Sequence, residues 1–431
     1  MNSSSFLNRC VSAGLAAGMF VGIAVMGQQA LAAGDPAIIH SEIIVPNPPF
    51  ASSHASTIVE TPDGLVAAWF GGTEEGAPDV SIWLSRNEGG TGWSAPEEVA
   101  NGTDVRKFRR YPCWNPVLFL RKNGELLLFY KVGPSPSTWW GMVRMSADNG
   151  KTWVKASRLP AGYVGPVRNK PIELPDGTLL CGASSEDKGW RVRMEWAKNP
   201  FGIWSCGPYL NEAFTMAVIQ PTILRHGSGT YQLLCRSKQG RVVTCWSANS
   251  AQSWGPMDRT SLPNPNSAVD GVTLDDGRQL LIYNHTDKGR GVLNAAISTD
   301  GKLWEAVCEL ENEPGSEFSY PAVIQTKDGL VHVTYTWKRE RIKHAVLDPS
   351  RFNARVMVDG RWPTPWPGKL MPRPRSGGRR ALRLNTEILA AHTAESFAVA
   401  VARASALLRA GDVVALPTET VYGLAANACD E

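Results

Sequence analysis

Ionisable and polar residues recur in this chain at one phase of a pattern of apolar runs. His54, Asn115, Asn169, Lys170, Gln220, Asp270 and Tyr320 stand at the starts of one set of runs. Glu74, Glu75, Lys131, Glu186, Arg236 and His285 stand at the ends of the runs that follow, and Asp79 and Arg290 lie in the loops just beyond. Brought together, these positions would assemble guanidiniums, ammoniums, carboxyls, imidazoles and a phenol at one place. Arg236 and Arg290 suit a carboxylate, because guanidinium forks bind it bidentately and stay charged. Glu74, Glu75, Asp79 and His54 are the acid and base candidates. Singly, each of these residues could equally make a strand-end hydrogen bond. A ring of so many polar groups at one axis needs partners, which argues for a site.

The elements that must position them form a repeat of about fifty residues. Each unit has an apolar strand, a tight turn, a second apolar strand, a loop, a third strand and a turn ending in Trp. The cleanest such turn is Ser146-Ala-Asp-Asn-Gly-Lys-Thr-Trp153, a full S-x-D-x-G-x-T-W Asp-box, with weaker copies from Ser85, Ser247 and Ser298. The closing residues are Trp93, Trp153, Trp204, Trp254 and Trp304, spaced by 60, 51, 50 and 50. Asp63-Gly64, Asn123-Gly124, Asp176-Gly177, Asp276-Gly277 and Asp328-Gly329 each split two apolar runs, the signal of a tight hairpin. One unit per fifty residues fits a four-stranded propeller blade. Starts near His54, Cys113, Pro166, Ile219, Ser267 and Phe318 make six blades. The sixth ends after Leu347 without an Asp-box, so residues 38–45 are expected to supply its outer strand and remove the open sheet edge. The fold class is therefore an all-β six-bladed propeller spanning 34–350. The Asp-box itself reads as a structural turn with a packed Trp, with no chemistry of its own.

Residues 1–33 read as a secretory signal, with Arg9 in the charged region, an apolar stretch over 11–26 and Ala30-Leu31-Ala32 as a small-residue cleavage site. That predicts a periplasmic or extracellular protein with no membrane attachment after cleavage. Six Cys remain in the body, namely Cys113, Cys181, Cys206, Cys235, Cys245 and Cys308. Export permits disulfides, but no metal-type spacing appears, and buried free thiols on strands fit as well. A net charge of +4 is too weak to point to nucleic acid. Much of that excess sits between Arg351 and Arg383, where nine Lys and Arg face one Asp. The sixteen Trp could fill blade cores or form sugar platforms. No metal or other cofactor is expected, and a monomer with a glycan substrate is.

On the Asp-boxes and the blade repeat, residues 40–350 resemble the sialidase superfamily, within it the bacterial BNR-repeat sialidase-like proteins. Sialidases hold a substrate carboxylate with three arginines. Arg236 in Leu-Leu-Cys-Arg-Ser matches the second, and Arg290 after Tyr-Asn-His matches the third. Tyr320 in Phe-Ser-Tyr-Pro matches the tyrosine nucleophile, which sets sialidases apart from the usual two-carboxylate glycosidases. A neutral tyrosine avoids repelling an anionic sugar, but it needs a base to become nucleophilic. Two positions depart from the family. Ser56-Thr57 follows His54-Ala55 where the first arginine belongs, and no carboxylate stands near Val218 where the activating glutamate belongs. Lys131, Lys170 or Arg168 could replace the cation, and Glu186 or Glu317 the base.

Residues 351–384 are rich in Pro, Gly and Arg and read as a linker. Beyond it, residues 393–409 read as an amphipathic helix and 413–416 as a short strand. Ala415-Leu-Pro-Thr-Glu-Thr-Val-Tyr-Gly-Leu424 resembles the start of threonylcarbamoyl-adenylate synthase, an enzyme of tRNA modification. That resemblance implies substrate-side roles for Thr418 and Tyr422, and it covers only about 45 residues. Residues 385–431 are accordingly expected to be a truncated remnant without activity. For the propeller three functions stay open. They are an exo-acting glycosidase on an acidic or polar sugar terminus, a polysaccharide lyase using His54 or Tyr320 as base with Arg236 and Arg290 on a uronate, and a non-catalytic glycan-binding propeller.

Overall fold

The computed structural model describes residues 35–363, 414–417 and 422–425. The signal segment lies outside them, as do the expected helix and most of the linker. The chain divides into two units, 1–370 and 371–431. In the second, Val414–Pro417 pairs antiparallel with Tyr422–Ala425.

The first unit contains six sheets in the order expected of propeller blades. Blade one is Ser52–Thr61, Gly64–Gly72, Ser81–Glu88 and Glu97–Ala100. Blade two runs from Cys113–Leu120 to Ser157–Arg158, blade three from Ile172–Glu173 to Ser205–Cys206, and blade four from Val218–His226 to Asp258–Pro263. Blade five begins with Asp270–Thr273. Blade six consists of Phe318–Gln325, Val331–Trp337 and Arg341–Leu347, and Ile38–Ile43 completes it as the fourth strand. The second strands lie inside the stack of blades. Leu126–Val132 and Gln279–Tyr283 are buried along their whole length, as continuous apolar runs flanked by sheet on both faces should be.

The Asp-boxes behave as turns. Ser146 Oγ accepts from the Gly150 amide at 2.8 Å, and Asp148 accepts from the Thr152 amide at 2.8 Å and its hydroxyl at 2.6 Å. They lie at the end of the blades where third strands finish, away from the strand-one starts. The six body cysteines are free thiols, with only Cys206 exposed.

The linker boundary placed at 351 needs correction. Arg355–Val356 adds a fifth strand to blade five by pairing with Glu305–Asn312, and Met357 is buried in that blade's core. Its apolar side chains keep the chain on the propeller through 363, where Pro and Arg counts alone suggested a spacer.

The seam closed by Ile38–Ile43 carries a titratable chain. Trp93 donates to Glu42 Oε1 at 2.9 Å, and His344 Nδ1 lies 3.1 Å from the same oxygen. Because the carboxylate can only accept, His344 keeps its proton on Nδ1, and its Nε2 accepts from His332 Nδ1 at 2.9 Å. His40 lies 3.3 Å from Glu42, and Asp328 faces His332 as a charge. Burial lowers His332 to about 4 and holds His344 below its ordinary value. Burial pushes the Glu42 carboxyl up, but its bonds from His344 and Trp93 outweigh this and hold it low. Histidines of the unfolded chain charge near pH ~6.5 while these resist, so unfolding takes up protons as pH falls. The melting temperature should therefore drop steadily between about pH 6.5 and 4, and His332→Gln should flatten that slope. An H332Q profile as steep as wild type would sink this account.

Candidate active site

Four inner strands carry the same distortion. Ala55, Asn115, Gln220 and Tyr320 have φ of 56°, 37°, 57° and 53°. Each sits in a register shift, at His54/Thr57, Trp114/Val117, Ile219/Thr222 and Ser319/Ala322. A bulge re-aims a side chain out of the strand alternation. Left-handed backbone at a bulky residue costs on the order of 1–3 kcal/mol, so it persists only where the surroundings over-determine it. At Tyr320 they do. Arg168 is fully buried beneath the ring, 5.4 Å from its centroid, and donates to the Tyr320 carbonyl and, at 2.8 Å, to that of Pro321. The His54 ring packs 4.1 Å away on another side.

Tyr320, Arg236 and Arg290 come together. Arg236 Nη1 lies 2.7 Å from the Tyr320 hydroxyl, and both guanidiniums stand 5.7 Å from the ring centroid. Asn266 ties them to each other, its Oδ1 accepting from Arg236 Nε at 2.8 Å and its carbonyl from Arg290 Nη2 at 3.1 Å. Gln220 Oε1 lies 3.4 Å from Arg236 Nη1. Tyr320 is 8 % exposed, reachable but largely shielded.

A further cation, Arg339, was not singled out from sequence. It sits in the turn between the second and third strands of blade six, where Lys338 and Arg339 both have positive φ, 55° and 62°. Arg339 Nε donates to Glu317 Oε1 at 3.0 Å, and its Nη1 pairs with Glu75. Glu317 Oε1 also takes Arg290 Nη1 at 2.9 Å and the Ser319 hydroxyl at 2.7 Å. Burial pushes the Glu317 carboxyl up, but Ser319 and the two guanidiniums outweigh it and hold the group below its ordinary value. Lys-Arg is not a sequence signal for such a turn. Applying the blade phase to the sixth blade's 2–3 turn would have found it.

Glu186 flanks the cluster. Its Oε2 accepts from the Trp190 indole at 2.8 Å, and Trp190 lies under Arg236 at 5.0 Å and Lys238 at 4.4 Å. Burial pushes the Glu186 carboxyl up despite these cations.

Other sequence candidates are placed elsewhere. Lys170 and Asp270 form a closed ion pair at 3.0 Å, with Asp270 also held by Thr222 at 2.8 Å and the Val323 amide at 2.9 Å. Asp270 is thus level with residues beyond the bulges, deeper in the axis than Tyr320. Asn169 spends its amide on the carbonyls of Gln220 and Val269, at 3.1 and 3.0 Å. Lys131 is fully buried on the Pro166 carbonyl, and burial lowers it to about 7. His285 turns to Tyr283 and Trp362. Asp79 accepts from Thr73 within its own exposed loop, at 2.9 and 2.7 Å. Glu74 is exposed and makes no side-chain hydrogen bond, leaving Glu75 as the loop's link to the cluster. His54 is fully buried, with Nδ1 2.8 Å from the Thr336 hydroxyl, and its pKa is held well down by burial and four arginines. These corrections share a cause. Position along a strand sets which end of the blade a residue occupies, but bulges and neighbouring blades decide where its side chain goes.

Tyr320 is thus a shielded phenol with Arg236 and Arg290 beside its ring, and Arg339 joins them through Glu317, a cluster of cations of the kind that can hold an anionic group. The chain belongs to the family of the BNR repeat-like domain, whose model matches residues 63–333. None of the curated proteins compared matches the sequence. Among solved structures, a protein of unknown function from Dyadobacter fermentans is 15% identical, with 73% of this chain and 99% of that one covered and a TM-score of 0.60. The NanB sialidase from Streptococcus pneumoniae is 10% identical over 72% of this chain and 71% of its own, TM-score 0.60. Trypanosoma rangeli sialidase is 14% identical over 70% of this chain and 55% of its own, TM-score 0.56. At these identities the likeness is one of fold, a sialidase-like propeller.

Proposed function

We propose that this protein is a secreted exo-acting glycosidase of sialidase type that takes a glycan terminus bearing a carboxylate. The observation that carries the reading is Tyr320, strained into the left-handed region and held 2.7 Å from Arg236 beside Arg290. Arg236, Arg290 and Arg339 bind the carboxylate, with Arg339 in place of the family's first arginine. The Tyr320 oxygen attacks the anomeric carbon as the bond to the leaving oxygen breaks, and its proton passes to solvent water. Arg236 Nη1, 2.7 Å from the Tyr320 oxygen, faces the negative charge that develops there during the displacement. Glu186, whose carboxyl burial pushes up, protonates the departing oxygen, and water then attacks the anomeric carbon, breaks the glycosyl–tyrosine bond and returns a proton to the Tyr320 oxygen.

A second reading has one observation in its favour. Among the described residues no carboxylate is hydrogen-bonded to the Tyr320 hydroxyl, whose partner is Arg236. That suits a phenolate acting as a base, as in a uronate lyase. Incubating the purified protein with a panel of glycans ending in sialic or uronic acids, followed by product mass analysis, separates the readings. A free acidic monosaccharide gaining one water supports the glycosidase, and an unsaturated uronate without added water supports the lyase. Binding with no product from any of the panel overturns both.

A further inference from the structure

The connection from blade one to blade two carries a small ribbon that the site does not use. Thr103–Asp104 pairs with Arg109–Arg110, and the Lys107 amide closes the turn on the Asp104 carbonyl at 3.2 Å. At its tip Phe108 is 99% exposed with φ 49°, and Val105 is 75% exposed. Around them Arg106, Lys107, Arg109 and Arg110 are all exposed. Arg110 anchors the ribbon, donating to the Ser81 hydroxyl at 2.7 Å and the Asp79 carbonyl at 3.0 Å and lying 3.6 Å from Glu98. Arg106, Lys107 and Arg109 form no ion pair among the described residues. The nearest acid, Asp104, turns back to accept from the Arg106 amide at 3.1 Å.

From this ribbon a strip of stacked groups runs along blade two. Arg109 lies over Tyr111 at 5.5 Å, Tyr111 meets Trp140 edge-on at 5.3 Å, and Arg158 covers Trp140 at 4.6 Å. The strip opens on the same end of the propeller as Tyr320. A fourth strand ends there, the next first strand begins there, and the loop that receives Arg110 also supplies Glu75 to Arg339.

We infer that the ribbon at residues 103–110 and the Arg109–Tyr111–Trp140–Arg158 strip form a docking track for the body of an anionic glycan chain whose terminus enters the Tyr320 site. The inference rests on the reading of that site as one for a carboxylate-bearing terminus. The track sets two adjacent rings, Tyr111 and Trp140, between a cation at each end, which offers planar surface to a sugar ring and charge to the carboxylates on either side of it. A lipid surface would call for a contiguous apolar face, which Phe108 and Val105 alone do not supply. Unpaired exposed cations also attract a polyanion at long range, in a way salt screens.

The test compares the intact chain with a variant carrying Arg106→Ser, Lys107→Ser and Arg109→Ser, and with Phe108→Ser. All four residues are solvent-exposed, so the melting temperature serves as the folding control. Binding of a purified oligogalacturonate is measured by calorimetry at low and high salt, with its carboxyl-reduced counterpart as the neutral control. The triple variant should bind the oligomer about tenfold more weakly at low salt, about twofold for each cation, and lose most of the salt dependence. Phe108→Ser should weaken binding with the salt dependence kept. Equal affinity of wild type and triple variant overturns the track, as does equal binding of the neutral oligomer. Tighter binding to phosphatidylglycerol vesicles than to the oligomer, lost in Phe108→Ser, overturns it in favour of a membrane. Binding is read without turnover, so a Tyr320→Phe protein that still shows the ribbon's salt-dependent contribution separates the track from the chemistry of the site.

Discussion

Tyr320→Phe should reduce turnover of an acidic glycan by about a thousandfold or more while leaving its binding within a few-fold of wild type. The substitution removes one oxygen from a ring that stays packed between His54 and Arg168. The backbone strain at this position is unchanged, and Arg236, Arg290 and Arg339 keep their other partners. Loss of rate without loss of affinity is the signature of a group needed for bond making and breaking. Single-turnover kinetics on the substrate identified by the panel, with calorimetric binding alongside, provide the check. Full activity in Tyr320→Phe would falsify both the glycosidase and the tyrosine-base readings and return attention to Glu75 and Glu186.

Arg236→Ala should show the complementary pattern, a loss of about 2–4 kcal/mol in substrate affinity, or roughly 30- to 1,000-fold. Arg236 is the guanidinium shared between Tyr320 and the binding site, and it is 8% exposed, so its charge acts in a shielded place. Removing it also leaves Asn266 Oδ1 and the Tyr320 hydroxyl without their donor. Arg339→Ala should cost less, because Glu317 keeps Arg290 in position at 2.9 Å. The comparison uses a carboxylate-bearing ligand and its neutral amide. If Arg236→Ala weakens both equally, the residue holds the protein's shape and does not read the carboxylate.

Several features of the site are legible in the sequence. Arg236, Arg290 and Tyr320 occupy matching phases of blades four, five and six, and the phase alone places them at one end of the ring. Arg339 was hidden because its turn is formed by Lys338-Arg339, residues that give no warning of two successive positive φ values. Lys170 and Asp270 shared the right phase but found each other first, at 3.0 Å, in the closed interior of the axis. His285 shared it too and was captured by Tyr283 and by the chain beyond residue 351.

By itself the sequence determined the blade count, the hairpins and the closure of the ring. The blade count and the hairpins follow from local periodicity and turn chemistry within about fifty residues each, and closure follows from the strand edge that the sixth unit leaves unpaired. Only the tertiary structure decided which polar side chains gather around Tyr320 and which neutralise one another elsewhere. That choice depends on bulges that re-aim Tyr320 and Gln220, and on charges brought in from blades one and six, where Glu75 meets Arg339 across 264 residues of chain. Such pairings are set by how six sheets close around one axis, and no single segment of the chain encodes them.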